Sequence, residues 1–317
     1  MHHTKKKYMQ NTISQETKDI LIAHNLDFEI KKVPLFEIKK VPLLALVGGE
    51  HISTDYYGLV NSKTGHPINC VKEGYTVSQN EDIVEMVLRG IKPFGDALRV
   101  TKAGSLNDGR KVYLQLGIEG SSKVGDDTIE RFVTIIDSND GSTGLSIGIG
   151  DLTLSCQNQF YCFYKRGDAK FRHTATIEQK IKTIPSLIET ALSVSMRQIE
   201  RYTKFVSTPV SKRLADEMVK YLIGFDREIT SMNVLSEKST RSINKLDAIY
   251  DSIEKEMNQK GENMWGLVSG ITRYTTHELK TPKRDNSRIE SLLTGTAYNM
   301  NQSAMKFASE KLQLELA

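Results

Sequence analysis

The sequence predicts an α+β fold with an antiparallel β-rich N-terminal half, which contains one or two helices, and an all-helical C-terminal half. From about residue 56 to 174, short runs of β-branched and aromatic residues alternate with turn residues, which is typical of strands. After Thr176, apolar residues recur at helical spacing. We therefore divide the chain into a basic tail with a short helix (1–25), a β-rich α+β domain (26–175) and a helical region (176–317).

The first elements are a helix and a repeated octapeptide. Apolar residues on one face predict a helix over residues 14–25. The sequence FEIKKVPL then occurs twice in succession, at 28–35 and 36–43. We expect one copy to form the first strand and the other to add length to a loop or edge strand, because each proline removes a backbone donor.

The β-rich domain contains one strong hairpin signal. Residues 137–144 (DSNDGSTG) lie between two apolar runs, and Asn, Asp and Gly adopt the left-handed conformations that tight turns need. The runs 130–136 and 145–149 should therefore pair as antiparallel strands. Asn80 is expected to cap a helix over 81–88. Further strands are predicted at 57–60, 68–71, 75–77, 112–118 and 152–156.

The C-terminal half is expected to contain five helices or more. Thr176–Gln179 resembles a capping box at the start of a helical run that extends to Ile199. Pro185 falls inside this run, so a kink or break is predicted near Thr183. Further helices are predicted at 211–223, 236–258, 263–279 and 287–314.

Composition indicates a reduced, cytoplasmic protein. The chain has 317 residues and three cysteines, an odd number without a C-x-x-C pair. The basic N-terminus is not followed by the apolar stretch of a signal peptide. The longest apolar stretch, 41–49, has about half the length that a membrane helix needs. We expect no membrane partner.

The enzyme motifs that can be tested are absent from the sequence. No glycine-rich Gly-Lys-Ser/Thr loop or Gly-x-Ser-x-Gly elbow occurs. Gly148 and Gly150 lack the third glycine of a dinucleotide site, and His277 is followed by Thr281 where a zinc protease would have its second histidine. We expect no cofactor, no metal and no catalytic residues. Acids such as Asp127 and Asp151 leave open a magnesium site that forms only in the fold.

One stretch, residues 156–180, combines aromatic and basic side chains; we call it the basic-aromatic segment. Residues 161–220 hold twelve Lys and Arg against six Asp and Glu, a local charge of +6 in a chain of net charge +4. Cations neutralise phosphates, and flat rings stack on unpaired bases, so this combination is typical of single-strand binding. The candidate nucleic-acid-binding residues are Tyr161, Phe163, Tyr164, Lys165, Arg166, Lys170, Arg172, His173 and Lys180.

Structural interpretations of the same residues stay open. Phe160 and Phe163, or Tyr161 and Tyr164, would then pack beneath the following helix, and the cations would pair with the acidic stretch 121–160. Trp265, the single tryptophan, is interpreted as helix packing, with Gly266 and Gly270 allowing close backbone approach. The loop 280–284 (KTPKR) is interpreted as a solvated loop, with contact to a phosphate as the alternative addition.

An ordered set of short motifs resembles the phage- and plasmid-encoded family catalogued as domain of unknown function 932. The resemblance extends from about residue 26 to 312, but the doubled octapeptide and the basic tail depart from it. It implies a mobile-element origin and a cytoplasmic setting, without an activity or catalytic residues. The motifs are 74–80 (GYTVSQN), 140–142 (DGS), 156–158 (CQN), 172–174 (RHT), 265–266 (WG) and 272–277 (TRYTTH).

These observations favour a non-enzymatic protein that binds single-stranded DNA in recombination, annealing or replication, with homo-oligomers along the strand as a further expectation. One alternative is a protein–protein or structural role in a phage, suggested by the polar helical half. Another is a metal-dependent enzyme on nucleic acid whose acids converge only in three dimensions.

Overall fold

The computed structural model describes residues 15–23, 30–34, 56–163, 170–171, 182–224, 240–284 and 286–313. The fold is α+β, with antiparallel strands in the N-terminal and middle regions and helices in the C-terminal half, as predicted. The strands form two separate sheets, which the sequence did not indicate. In the described ranges, no helix is both long and apolar enough to cross a membrane.

The smaller sheet has three strands. Helix α1 (Gln15–Ala23) is followed by β1 (Ile30–Pro34), which comes from the first FEIKKVPL copy; the second copy lies outside the described residues. Strands β2 (Tyr56–Asn61) and β3 (Pro67–Lys72) complete the order β1-β2-β3. The predicted strand at 75–77 is wrong: this stretch is a loop before α2 (Asn80–Ile91), because its polar groups bond to the hairpin instead of a neighbouring strand.

The larger sheet is antiparallel. Its strands β4 to β8 lie side by side in chain order, and β9 also pairs with β7. The strands β6 (Asp127–Ser138) and β7 (Leu145–Thr153) confirm the predicted hairpin. The predicted strand at 152–156 is wrong, because the chain turns after Thr153 and Gln157 adopts φ +57°. Strand β4 was not predicted, since a bulge between Val100 and Lys102 interrupts its alternation. The other strands are β4 (Leu98–Leu106), β5 (Lys111–Val124), β8 (Gln159–Phe163) and β9 (Lys170–Phe171).

The described helices of the C-terminal half agree with four of the predicted positions and correct one detail. Lys182 and Thr183 form a turn and α3 begins at Ile184, in agreement with the break predicted near Thr183; Pro185 lies in the first turn of the helix, where its missing N–H costs nothing. The predicted helix 287–314 is broken at Gly295, whose backbone lies against Ser291 so closely that a Cβ would be 2.9 Å from the Ser291 Cα. The helices are α3 (Ile184–Val206), α4 (Lys212–Ile223), α5 (Thr240–Lys260), α6 (Met264–Arg273), α7 (Ser287–Thr294) and α8 (Thr296–Lys311), with a π-helical turn (Tyr274–Glu278) after α6.

Helices cover both faces of the larger sheet. One face packs through residues such as Leu114 and Ile149 against α2 and α3, and the other packs through Tyr113 and Tyr161 against α7. A further core surrounds Trp265 and joins α3 to α6 and α8 with the β5–β6 end of the sheet. The domain boundary near residue 175 stays a prediction, while the described helices beyond it share their cores with the sheet.

Candidate nucleic-acid interface

The described parts of the basic-aromatic segment follow one edge of the larger sheet. Strand β8 pairs with β7 up to Phe163 opposite Gly148, and β9 pairs with β7 where Lys170 lies opposite Ser146. Both therefore lie on the same side of β7, one after the other. Residues 164–169 between them, and 172–181 after them, lie outside the described residues.

Tyr161 does not contribute an exposed ring. It is 3% exposed, and its hydroxyl accepts from Gln115 Nε2 at 2.8 Å and donates to Gln159 Oε1 at 3.0 Å. Its ring lies over Gly150, where a Cβ would come within 2.8 Å of it. This corrects its assignment as a stacking residue, because helices from the C-terminal half cover this face of the sheet. Phe160 is also buried, so both rings belong to the core; Tyr161 packs against α7 and not beneath the helix that follows the segment.

The remaining candidate residues stay predictions. For two of them, only the backbone is described, in β8 and β9: Phe163 and Lys170. The others lie outside the described residues: Tyr164, Lys165, Arg166, Arg172, His173 and Lys180.

Helix α3 carries a row of cations that is not among the binding residues predicted from the sequence. Arg197, Arg201 and Lys204 have i, i+4, i+7 spacing, which places them on one side of the helix; we call them the α3 stripe. Tyr202 and Phe205, on the adjoining face of the helix, are buried in the core. The side chains of Arg197 and Lys204 are exposed and have no hydrogen-bond or ion-pair partner within the described ranges. The helical spacing of basic and apolar residues was the signal that could have found this row.

The α3 stripe lies beside the end of β8. Burial lowers the pKa of Arg201 and nearby Arg197 lowers it further, whereas Tyr202 and Cys162 raise it. Cys162 is the penultimate residue of β8, so Arg201 lies close to the point where the basic-aromatic segment leaves the sheet edge. The α3 stripe therefore lies beside the end of the described part of β8.

A fourth cation adjoins this region from the sheet. Arg131 of β6 reaches α3 with its Nη1, which lies 2.9 Å from Met196 Sδ and 3.5 Å from Ser195 Oγ. Met196 is 52% exposed and is among the largest exposed apolar side chains of the described residues. Positive charge and an adaptable apolar side chain thus occur together at this surface.

A chain of hydrogen bonds, which we call the relay, connects the buried Asp151 to Arg201 of the α3 stripe. Tyr202 donates to Asp151 Oδ2 at 2.8 Å, Gln198 Nε2 donates to the Tyr202 hydroxyl at 2.9 Å, and Arg201 Nη1 donates to Gln198 Oε1 at 2.7 Å. Burial raises the pKa of Asp151 to about 7, although Tyr202 and Arg131 lower it. The relay connects the sheet interior to Arg201 and fixes the orientation of α3.

A second buried network joins the β5–β6 turn to the helices. Asp127 accepts from Trp265 Nε1 at 2.7 Å, from Ser155 Oγ at 2.6 Å and from Lys260. Burial raises the pKa of Asp127, but these bonds outweigh it and hold the pKa below its usual value. Trp265 therefore packs a helix against the sheet, as interpreted from the sequence. Gly270 confirms the close approach, since a Cβ there would lie 2.5 Å from Ile253 Cα.

The acids considered for a metal site have other partners. Asp127 belongs to the network with Lys260, and Asp151 belongs to the relay with Tyr202. Across the described ranges, no group of three or more His, Cys, Asp or Glu side chains is placed to hold a metal ion.

The loop after β7 brings Cys156 near His277 without creating a nucleophile. His277 Nε2 lies 3.0 Å from the Cys156 carbonyl oxygen and 3.2 Å from Asn158 Oδ1, so it contacts the backbone of Cys156. Burial raises the pKa of the Cys156 thiol, which keeps it protonated. Asn158 also donates to the Ser269 carbonyl at 3.2 Å. These residues hold the loop against α6 and the π-helical turn.

Another set of polar contacts joins the loop before α2 to the hairpin. Ser78 Oγ donates to Asp137 Oδ2 at 2.5 Å, and the Tyr75 hydroxyl donates to Asn139 Oδ1 at 3.1 Å. Asn69 of β3 donates to the Asn139 carbonyl at 3.2 Å. The smaller sheet is therefore attached to the hairpin turn. Motifs that are far apart in sequence, 74–80 with 137–140 and 156–158 with 269–277, meet in pairs.

The family model for the domain of unknown function DUF932 matches residues 67–297, nearly three quarters of the chain. The chain belongs to this family. Both motif pairs, the α3 stripe and the Asp127 network lie within the DUF932 match, whereas the doubled FEIKKVPL lies outside it. No curated protein and no solved structure is detectably similar to the chain.

Proposed function

We propose that this DUF932 protein binds single-stranded DNA in the cytoplasm, in recombination, annealing or replication of a mobile element. The binding surface comprises the α3 stripe, Arg131 and the basic-aromatic segment. The observation that carries the proposal is the position of the α3 stripe beside the sheet edge that the segment follows. This arrangement places several cations within one surface, and cations that contact phosphates supply most of the affinity of such proteins.

The segment would add base contacts to the phosphate contacts of α3. The candidate aromatic residues Phe163 and Tyr164 would stack on unpaired bases, each contributing about 1–3 kcal/mol. In a duplex, the faces of the bases are already stacked on neighbouring bases. A surface that combines cations with aromatic rings therefore favours single-stranded over double-stranded DNA. Several copies side by side on one strand would give cooperative binding.

Replacing the three residues of the α3 stripe with alanine should weaken binding of a fluorescently labelled oligothymidylate and make it less dependent on salt. Each phosphate contact on a single strand contributes about −0.7 to the slope of log K against log salt concentration, so the slope should become less negative by about 2. Fluorescence anisotropy between 50 and 300 mM salt, with a duplex of the same length for comparison, measures both quantities.

The matched control removes three exposed lysines from other elements: Lys92, Lys255 and Lys306. It changes the net charge equally and should leave most of the affinity and the slope intact. Equal losses in both triple variants would mean that only net charge matters and would remove the α3 stripe from the proposal. A stable protein partner, with no DNA binding by the wild-type chain, would favour the protein–protein alternative.

A further inference from the structure

A cavity of about 610 Å³ lies among the helices, where the first turns of α5 approach the π-helical turn and the junction of α7 with α8. Ligand sites commonly have volumes of about 300–1,000 Å³. Its lining includes charged and hydroxyl groups from all of these elements. The loop that begins at Lys280, interpreted from the sequence as solvated, forms part of its wall.

The charges that line the cavity favour an anion. Lys245 on α5 and Lys280 after the π-helical turn both border it, and neither side chain has a hydrogen-bond or ion-pair partner in the part of the chain that the structure describes. Glu278 is the third charged residue of the lining, so the wall keeps one net positive charge. An anionic group between the two ammonium groups would neutralise their mutual repulsion.

Tyr274 provides an independent indication of a polar ligand. The residue is 4% exposed and borders the cavity, and its hydroxyl has no hydrogen-bond partner among the described residues. Burial raises the pKa of this hydroxyl, so it remains a donor. The hydroxyl oxygen is not among the fully buried unpaired atoms of the described residues, so it is accessible and can donate to an oxygen atom of a ligand. Ser291 adds a second hydroxyl; its Oγ accepts from the Ala297 N–H at 3.2 Å.

The rest of the wall is apolar. Ala248, Leu279 and Pro282 line the cavity together with the polar groups. We propose that the cavity binds one nucleoside monophosphate, either free or as the terminal nucleotide of a strand. Lys245 and Lys280 bind its phosphate, Tyr274 donates to one of its oxygens, and its base packs on the apolar wall. The proposal uses none of the residues of the α3 stripe.

Isothermal titration of the full chain with dTMP and dAMP at low salt tests this proposal. The wild-type chain should bind one nucleotide saturably, and the variant with both Lys245→Ala and Lys280→Ala should bind it at least about 10-fold more weakly, since it loses both charged hydrogen-bond donors to the phosphate. Tyr274→Phe should weaken binding about 5-fold through loss of a single neutral hydrogen bond. The control variant with Lys255→Ala and Lys306→Ala should bind as the wild type does. Thermal melting shows whether each variant is folded.

Further ligands distinguish the sources of the nucleotide. Tighter binding of a 5′- or 3′-phosphorylated oligonucleotide than of its hydroxyl-ended counterpart assigns the site to strand ends; binding of mononucleotides alone assigns it to free nucleotides. The proposal is overturned if neither nucleotide binds saturably, if the double-lysine variant binds as tightly as the wild type, or if inorganic phosphate binds as tightly as dTMP. The α3 variant should bind dTMP normally, so failure of the proposed DNA surface and failure of this site are separable.

Discussion

Replacing Asp127 with alanine should lower the free energy of unfolding by about 3–5 kcal/mol, the cost typical of breaking a buried ion pair from one side. The Lys260 side chain is 5% exposed and that of Asp127 is 8% exposed. Without the carboxylate, the Lys260 ammonium would keep only Glu256, whose nearest oxygen is 3.5 Å away, and the Trp265 N–H would lose its acceptor. The β5–β6 turn would thus lose its polar attachment to α5 and α6.

Urea unfolding followed by tryptophan fluorescence measures this loss, because Trp265 is the single tryptophan and contacts Asp127 directly. Glu310→Ala is the control, since it breaks the exposed pair with Lys306 and should leave the free energy of unfolding almost unchanged. Asp127→Asn keeps the acceptor for Trp265 but not the charge, so it should be destabilised less than Asp127→Ala. Similar stabilities for Asp127→Ala and Glu310→Ala would contradict the assigned role of the network.

The second large effect concerns pH. Burial raises the pKa of Asp151 from 3.8 to about 7, so between these values the folded chain holds a proton that the unfolded chain has released. The contribution of Asp151 to the free energy of unfolding is therefore largest below about pH 4, and it decreases as the pH rises towards 7. At about 1.4 kcal/mol for each pKa unit, the full change is roughly 4 kcal/mol. Arg131 and Tyr202, which face the carboxyl, both oppose the upward shift.

Asp151→Asn tests this prediction because an amide resembles the protonated carboxyl and can still accept from Tyr202. We expect the variant to match the wild type near pH 4 and to be more stable than the wild type at pH 8, in urea unfolding measured at both pH values. Asp96→Asn, at an exposed position, should show the pH dependence of the wild type. A difference between Asp151→Asn and the wild type that stays constant from pH 4 to 8 would show that this carboxyl does not titrate in the folded chain.

The two buried carboxylates have different roles because their surroundings differ. Asp127 has a cation and two neutral donors, so it stays charged and joins two parts of the molecule. Asp151 has one neutral donor at Oδ2, and its Oδ1 has no hydrogen-bond partner among the described residues. Through Tyr202 and Gln198 it connects to Arg201 of the α3 stripe.

The sequence by itself determined the features that depend on local patterns. The turn residues at 137–144 predicted the hairpin, and helical periodicity predicted the helices at 211–223, 236–258 and 263–279. The ordered motifs identified the DUF932 family, which the family match then showed. Each of these signals lies within a short stretch of chain, where turn chemistry and side-chain spacing are visible in the residues themselves.

Only the tertiary structure decided which residues are buried, paired or accessible. Tyr161 looked like a stacking residue because strand alternation does not show that helices cover both faces of the sheet. The bond from Trp265 to Asp127 joins residues 138 positions apart, and the cavity beside Tyr274 is enclosed by elements from 242 to 296. Such contacts leave no local periodicity in the sequence, because they arise when distant segments pack together to bury a common core.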